Sequence, residues 1–276
     1  MDFIEIGNNP IAFTIGPFEV MWYGIMVALA IVAIIAISLF EARRVGISEE
    51  HVYSFGLWAV IGGILVSRLV HVIDKWEYYM DNPGQIIGFE GLTVYGAVIG
   101  AVLAVLIYTW VKKISFWQIG DIIAPGALVG QAIGRIGCFL NGCCYGLPTS
   151  LPWAVVFTHP RCYALLGVPV HPAQIYHLLW NLLAFAVIWL LRTRLKPQGS
   201  LFLSYLALYA TGDLIIRFVR PGDPFLFGMQ QAQFIGVVIL VITLPWLVIR
   251  MRRARAAASI SESSSAVTRS EQNPED

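Results

Sequence analysis

The chain has 276 residues, of which 58% are hydrophobic and 13% charged, and its formal net charge is +1. A soluble domain is about a quarter charged, so this composition excludes an ordinary soluble domain, and the near-neutral balance excludes a general attraction to nucleic acid. Apolar runs of the roughly 20 residues needed to cross a bilayer recur along the sequence, which marks a polytopic membrane protein.

Residues 1–20, "MDFIEIGNNPIAFTIGPFEV", carry three acidic residues and no Lys or Arg. They lack the basic start of a cleavable signal and are expected to form an ordered outer-face segment. Seven helices are predicted at about 21–40, 53–73, 92–112, 120–140, 173–192, 200–220 and 231–250. Together they make an all-α transmembrane domain over residues 21–250. Asp121, Pro125 and Arg135 interrupt the fourth helix, where a short re-entrant element is the alternative. Residues 145–172 form an outer-face loop. The stretch 251–276 is basic at first and then, from 256, polar and Ser-rich, a composition expected to be disordered.

Basic residues set the orientation. Arg43, Arg44, Lys112, Lys113, Arg192, Arg194, Lys196, Arg250, Arg252, Arg253, Arg255 and Arg269 fall on one side, which is twelve of the eighteen Lys and Arg. The opposite connections hold only Lys75 and Arg161. The N-terminus is therefore expected outside and the C-terminus in the cytoplasm.

The four remaining arginines come near the outer ends of their helices: Arg68, Arg135, Arg217 and Arg220. Tyr23, Tyr95 and His171 start the first, third and fifth helices at the same level. An arginine at the bilayer centre costs at least ~2.5 kcal/mol on insertion scales, so four at one depth point to a shared anionic partner. Each has a plainer alternative. Arg220 could snorkel to the headgroups, Arg217 could pair with Asp213 four residues earlier, and the tyrosines could be interfacial aromatics. His171, before Pro172, could simply start a helix. Arg135 is followed by a further apolar turn and then a glycine-rich break, which snorkelling does not explain. Gly126, Gly130 and Gly134 recur every four residues, as do Gly96 and Gly100, a spacing for close helix packing. Gly142 and Gly146 are expected in irregular backbone whose N–H groups face a phosphate.

The stretch 134–146, "GRIGCFLNGCCYG", resembles the signature of the prolipoprotein diacylglyceryl transferase family. "WYG" at 22–24, Arg68, "GAVIG" at 96–100, "DIIAP" at 121–125, "HPAQIY" at 171–176 and "FVRPGD" at 218–223 follow in the family's order. The resemblance implies a seven-helix enzyme of the bacterial plasma membrane with its site toward the outer leaflet. It also implies transfer of the diacylglyceryl group of phosphatidylglycerol to the lipobox cysteine thiol of a prolipoprotein. A thioether forms and glycerol phosphate leaves, and no cofactor is implied. The phosphate is assigned to Arg135, with Asn141, Gly142 and Gly146 shaping the same loop. Tyr23, Arg68, Arg217, Arg220 and His171 complete the expected substrate contacts.

The chain departs from the family pattern in places. Tyr95 stands where many members have histidine, Cys138 and Cys143 where Asn and Glu are frequent, and His177 where Glu is usual. Asp213 followed by Arg217 reverses the signs of a familiar Arg–Glu pair, so exchanging the two residues should rescue either single change. A thiol is mostly protonated near neutral pH. Tyr95 is therefore expected to position it, and His71, three residues after Arg68, to take its proton; the alternative for His71 is an interfacial histidine. Cys138, Cys143, Cys144 and Cys162 allow buried thiols, a disulfide to Cys162, or a metal with His159 or His171, although their spacing matches no zinc pattern. A transporter or a non-catalytic lipid-binding relative are the alternative functions. A transporter would tend to show repeat symmetry and polar groups at mid-membrane.

Overall fold

The structure, a computed structural model, describes residues 3–86 and 93–272. The chain divides into two compact units, Met1–Ile34 with Ile123–Asp276, and Ile35–Ile122. Among the described residues, six helices are long and apolar enough to cross a membrane. They are α1 (Trp22–Val45), α2 (Glu49–Asp74), α4 (Val94–Lys112), α5 (Phe116–Leu140), α6 (Ala173–Leu191) and α8 (Gln231–Gln272). The predicted start of the third helix at 92 lies outside the described residues.

The sixth predicted helix is present as α7 (Ser200–Arg217), but it is not among those six. Ser200, Ser204, Thr211, Asp213 and Arg217 interrupt its apolar character, and Ser200 and Ser204 are buried against protein. The fourth predicted helix is one continuous α5 that accommodates Pro125, so the re-entrant alternative does not occur. A short helix, α3 (Trp76–Asp81), and a single 3-10 turn follow α2. Helical backbone in α8 continues through 256–272, where composition predicts disorder. Alanines at 254 and 256–258 favour that continuation.

The all-α expectation needs correcting outside the helices. Strand β1 (Ile4–Ile6) runs parallel to β4 (Val155–Phe157), which pairs antiparallel with β5 (Pro169–Val170). Val155, Phe157 and Val170 are buried in this layer, with Ile6, Phe139, Tyr145 and Cys162 packed on them. Two hairpins, β2 (Ile11–Ile15) with β3 (Phe18–Met21) and β6 (Pro224–Leu226) with β7 (Met229–Gln230), complete the strands. β-Branched and aromatic residues in short alternating runs favour strands, and away from the helices their backbone groups still need partners. The sheet ties the leading segment to the 145–172 loop, and Asn8 Nδ2 donates to the Leu140 carbonyl at 2.8 Å, closing the end of α5.

Small residues set the helix contacts. Within the first unit α1 lies on the glycine face of α5: a Cβ at Gly126 would stand 2.9 Å from the Ile34 carbonyl oxygen, and one at Gly130 2.6 Å from the Ile34 side chain. The third close glycine is Gly137, against Tyr23 and Met26, while Gly134 has nothing within 4 Å. Leu128, Ala184, Ile188 and Leu201 bury the junction of α5, α6 and α7. Within the second unit α2 and α4 approach closely through Gly62, Gly63, Gly96 and Gly100. Ser67 Oγ donates to the Thr93 carbonyl at 2.8 Å at the end of that contact.

Candidate active site

Two helices of the first unit present matching polar ladders. Gln131 and Arg135 lie one turn apart on α5, and Tyr205, Tyr209, Asp213 and Arg217 recur every four residues on α7, so each set lines one helix face. Gln131 Nε2 donates to the Tyr205 hydroxyl at 3.0 Å. One turn further on, the Arg135 guanidinium faces Tyr209 and Asp213. Asp213 Oδ2 accepts from Arg217 Nε at 3.4 Å, and its other oxygen lies 3.7 Å from His177 Nε2 on α6. Trp180 fixes α6 against α7: its Nε1 donates to the Leu208 carbonyl at 2.9 Å, and its ring covers Gly212, where any side chain would overlap it.

Asp213 and Arg217 do form the expected pair, but not an isolated one. The carboxylate is shared with His177 and also faces Arg135 and Arg220. Exchanging the two residues is therefore expected not to restore function, in contrast to the rescue expected from the sequence.

The end of α5 turns back on itself through Gly142. The Gly142 N–H donates to the Phe139 carbonyl at 3.1 Å and the Cys143 N–H to the Cys138 carbonyl at 3.0 Å. This is the Schellman arrangement, which needs a left-handed residue at its penultimate position, and Gly142 supplies φ +69°. The Gly146 N–H is held by the His171 carbonyl at 2.8 Å. Both glycine N–H groups are taken by backbone carbonyls. Gly142 serves a helix stop and Gly146 a close approach.

That approach gives a test. A Cβ at Gly146 would stand 2.5 Å from His171 Cβ and 2.6 Å from the Val219 carbonyl oxygen. Gly146→Ala should lower stability by about 1–3 kcal/mol through overpacking. Gly134→Ala meets nothing and should raise it by about 0.5–1 kcal/mol through helix propensity. Thermal unfolding of the two variants in detergent checks the opposite signs; equal shifts would refute this account of the two sites.

Asn141 is buried, its carbonyl oxygen accepts from the Tyr163 N–H at 3.2 Å, and its side-chain Oδ1 has no hydrogen-bond partner among the described residues. The buried Nε of Arg220 likewise has none. Burial, and then the neighbouring Arg217, lower the pKa of Arg220 below the usual guanidinium value. A cavity of about 400 Å³ opens beside Arg220, lined also by Arg217, Gly222, Gln230 and Leu147 among others. Gln230 holds its rim, with Nε2 donating to the Arg220 carbonyl at 3.0 Å.

His171 is engaged in a chain of ring and hydroxyl groups. Its Nδ1 lies 3.2 Å from the Tyr176 hydroxyl, which accepts from Trp153 Nε1 at 2.8 Å. Tyr23 neighbours Arg135 and the cysteines at 138, 143 and 144.

The second unit holds the other three expected residues. Arg68 donates to the carbonyls of Gln85 at 2.5 Å and Ile86 at 3.1 Å and lies over the Tyr79 ring. That is the geometry of a clamp on the connection after α2. The His71 ring meets the same Tyr79 edge-on at 6.0 Å. Tyr95 is exposed on the first turn of α4, a turn capped by Thr93, whose Oγ1 accepts from the Gly96 N–H at 3.3 Å.

Sequence reasoning missed Tyr209 and the role of His177. The four-residue repeat of polar groups along 205–217 is the signal that could have found Tyr209. His177 is marked in the sequence only by standing where Glu is usual, and its partner Asp213 is on another helix.

Residues 10–249 match the sequence profile of the prolipoprotein diacylglyceryl transferases. A phosphatidylglycerol–prolipoprotein diacylglyceryl transferase of Dehalococcoides mccartyi is 41% identical over 92% of this chain and 98% of its own. Proteins of the same name from Lysinibacillus sphaericus (34% identical, 93% of this chain, 97% of its own) and Clostridioides difficile (35%, 83% and 90%) are similar along most of their length. With the Arg135 signature lying inside the matched region, this multi-pass membrane protein belongs to the prolipoprotein diacylglyceryl transferase family.

Proposed function

We propose that this enzyme transfers the diacylglyceryl group of phosphatidylglycerol to the lipobox cysteine of prolipoproteins at the outer leaflet of the plasma membrane. The proposal includes seven spanning helices, α7 being the seventh, with the N-terminus outside. The twelve basic residues gathered on one side support that orientation. The observation that carries the reading is a guanidinium cluster with unused donor capacity: the buried Arg220 Nε lacks a partner among the described residues, and Arg135 is its electrostatic neighbour.

The chemistry follows from that cluster. A thiolate attacks an sp³ carbon of the glycerol backbone, and charge develops on the departing phosphate oxygens. Donors fixed in a site poor in water stabilise that charge far better than water does. In the proposal Arg135 and Arg220 take the phosphate. Asn141 Oδ1 accepts from a headgroup hydroxyl, and the cavity beside Arg217 holds the glycerol headgroup. Asp213 keeps Arg217 and Arg135 in place without touching the lipid.

The test uses purified protein in vesicles of phosphatidylglycerol with a synthetic lipobox peptide. Mass spectrometry should find the peptide heavier by one diacylglyceryl group and an equal amount of glycerol phosphate released. Binding of phosphatidylglycerol without either product would make the protein a non-catalytic relative. Movement of a solute across the vesicle without either product would make it a transporter.

A further inference from the structure

Three of the four cysteines converge on one point. Cys138 is on the last turn of α5, and the Schellman return brings Cys143 back over it through the bond from its N–H to the Cys138 carbonyl. Cys144 follows with φ +62°, in the left-handed region that residues other than glycine seldom occupy. The Sγ atoms of Cys138, Cys143 and Cys144 all lie within 4.8 Å of one another, and each residue is half-buried. Cys162 stands outside this group, packed on Gly142 and the β4 layer. The disulfide to Cys162 that the sequence allowed is absent: all four cysteines are free.

The Arg220 and Arg135 guanidinium groups neighbour Cys144. Soft thiolates select zinc or copper(I) over hard cations. A tetrahedral zinc with bonds of ~2.3 Å would place its sulfurs about 3.8 Å apart, a spacing that the sulfurs can reach from where they stand. Three thiolates and a divalent ion leave one net negative charge, and two guanidinium groups face it. Zinc sites with three protein ligands keep a fourth position open for an exchangeable ligand.

We infer that Cys138, Cys143 and Cys144 bind one zinc ion, whose fourth position takes the acceptor cysteine as a thiolate beside the phosphate held at Arg135. The second half rests on the transferase reading; the metal site does not. A metal-bound thiol is deprotonated outright, so no side-chain base is required. The thiol proton leaves to water. The sulfur forms its bond to the glycerol carbon as the carbon–oxygen bond to phosphate breaks, and the electron pair departs with glycerol phosphate. Zinc changes no oxidation state in the step, and no further reactant is consumed.

The full-length protein, purified under reducing conditions with zinc supplied during growth, should carry one zinc per chain by elemental analysis. Cobalt(II) exchanged into it should show the intense near-ultraviolet band of thiolate-to-metal charge transfer. Cys143→Ser and Cys144→Ser should each lose at least nine-tenths of the metal and that band, whereas Cys162→Ser keeps both. Monodisperse elution in detergent shows that each variant has folded. Wild-type protein without metal, with three alkylatable thiols or with a disulfide among them, overturns the site, and so does equal metal loss in Cys162→Ser. Zinc that can be stripped with a chelator while lipobox-peptide transfer stays unchanged overturns its role toward the thiol. One zinc per chain in a protein that transfers nothing would instead refute the transferase reading and leave the metal site in place.

Discussion

Arg135→Ala should insert and fold, yet lose diacylglyceryl transfer by about 10²–10³-fold in kcat/KM, or ~2.7–4 kcal/mol, the loss seen when one fixed donor is removed from developing negative charge. The guanidinium faces Tyr209 and Asp213, and Asp213 still has Arg217 as its partner when Arg135 is removed. Stability should therefore change little while rate collapses. Arg135→Lys should recover only part of the rate, since an ammonium cannot present the planar fork of a guanidinium. The measurement is lipopeptide formation in phosphatidylglycerol vesicles, with insertion verified by fractionation. Turnover near wild type from a correctly inserted Arg135→Ala would remove Arg135 from the mechanism.

Asp213→Ala should damage both stability and rate, and exchanging its charge with Arg217 should not repair it. The carboxylate is 13% exposed and holds Arg217, while facing His177, Arg135 and Arg220. Deleting it leaves guanidinium groups repelling one another. Breaking a buried pair costs 3–5 kcal/mol, and partial exposure of Arg217 reduces this to roughly 2–3 kcal/mol here. In the double variant Asp213→Arg with Arg217→Asp, a guanidinium at 213 would stand beside Arg135 and Arg220. Transfer should then remain as low as in the worse single variant. Recovery of half or more of the lost activity would mean that the two residues act as an isolated pair and that the shared-carboxylate account is wrong.

Both results turn on how the ladder of α7 meets that of α5. The spacing of Tyr209, Asp213 and Arg217 on one helix face follows from 3.6 residues per turn and is legible in one dimension. That the face turns toward Arg135 depends on α6, where Trp180 needs Gly212 bare of a side chain and locks the rotation of α7. The glycine pattern divides in the same way. Gly126 and Gly130 serve the close contact that their spacing suggests, but Gly134 does not and Gly137 does. A repeat every four residues drifts around a helix of 3.6, so the contact passes to the next glycine on the face that meets α1.

The amino-acid order by itself determined the membrane class and the positions of the long helices. These depend on apolar run length. Tertiary structure decided which partners each polar group has. Arg68 clamps the carbonyls of Gln85 and Ile86, and Asp213 serves more than Arg217. The N–H groups of Gly142 and Gly146 close a helix end and a loop, and three cysteines meet around a left-handed turn. Hydrophobic burial is a property of each residue summed over a segment, so it survives in the linear sequence. Hydrogen bonds and ion pairs are short-ranged and directional, and their partners are settled only when separate helices and loops are packed.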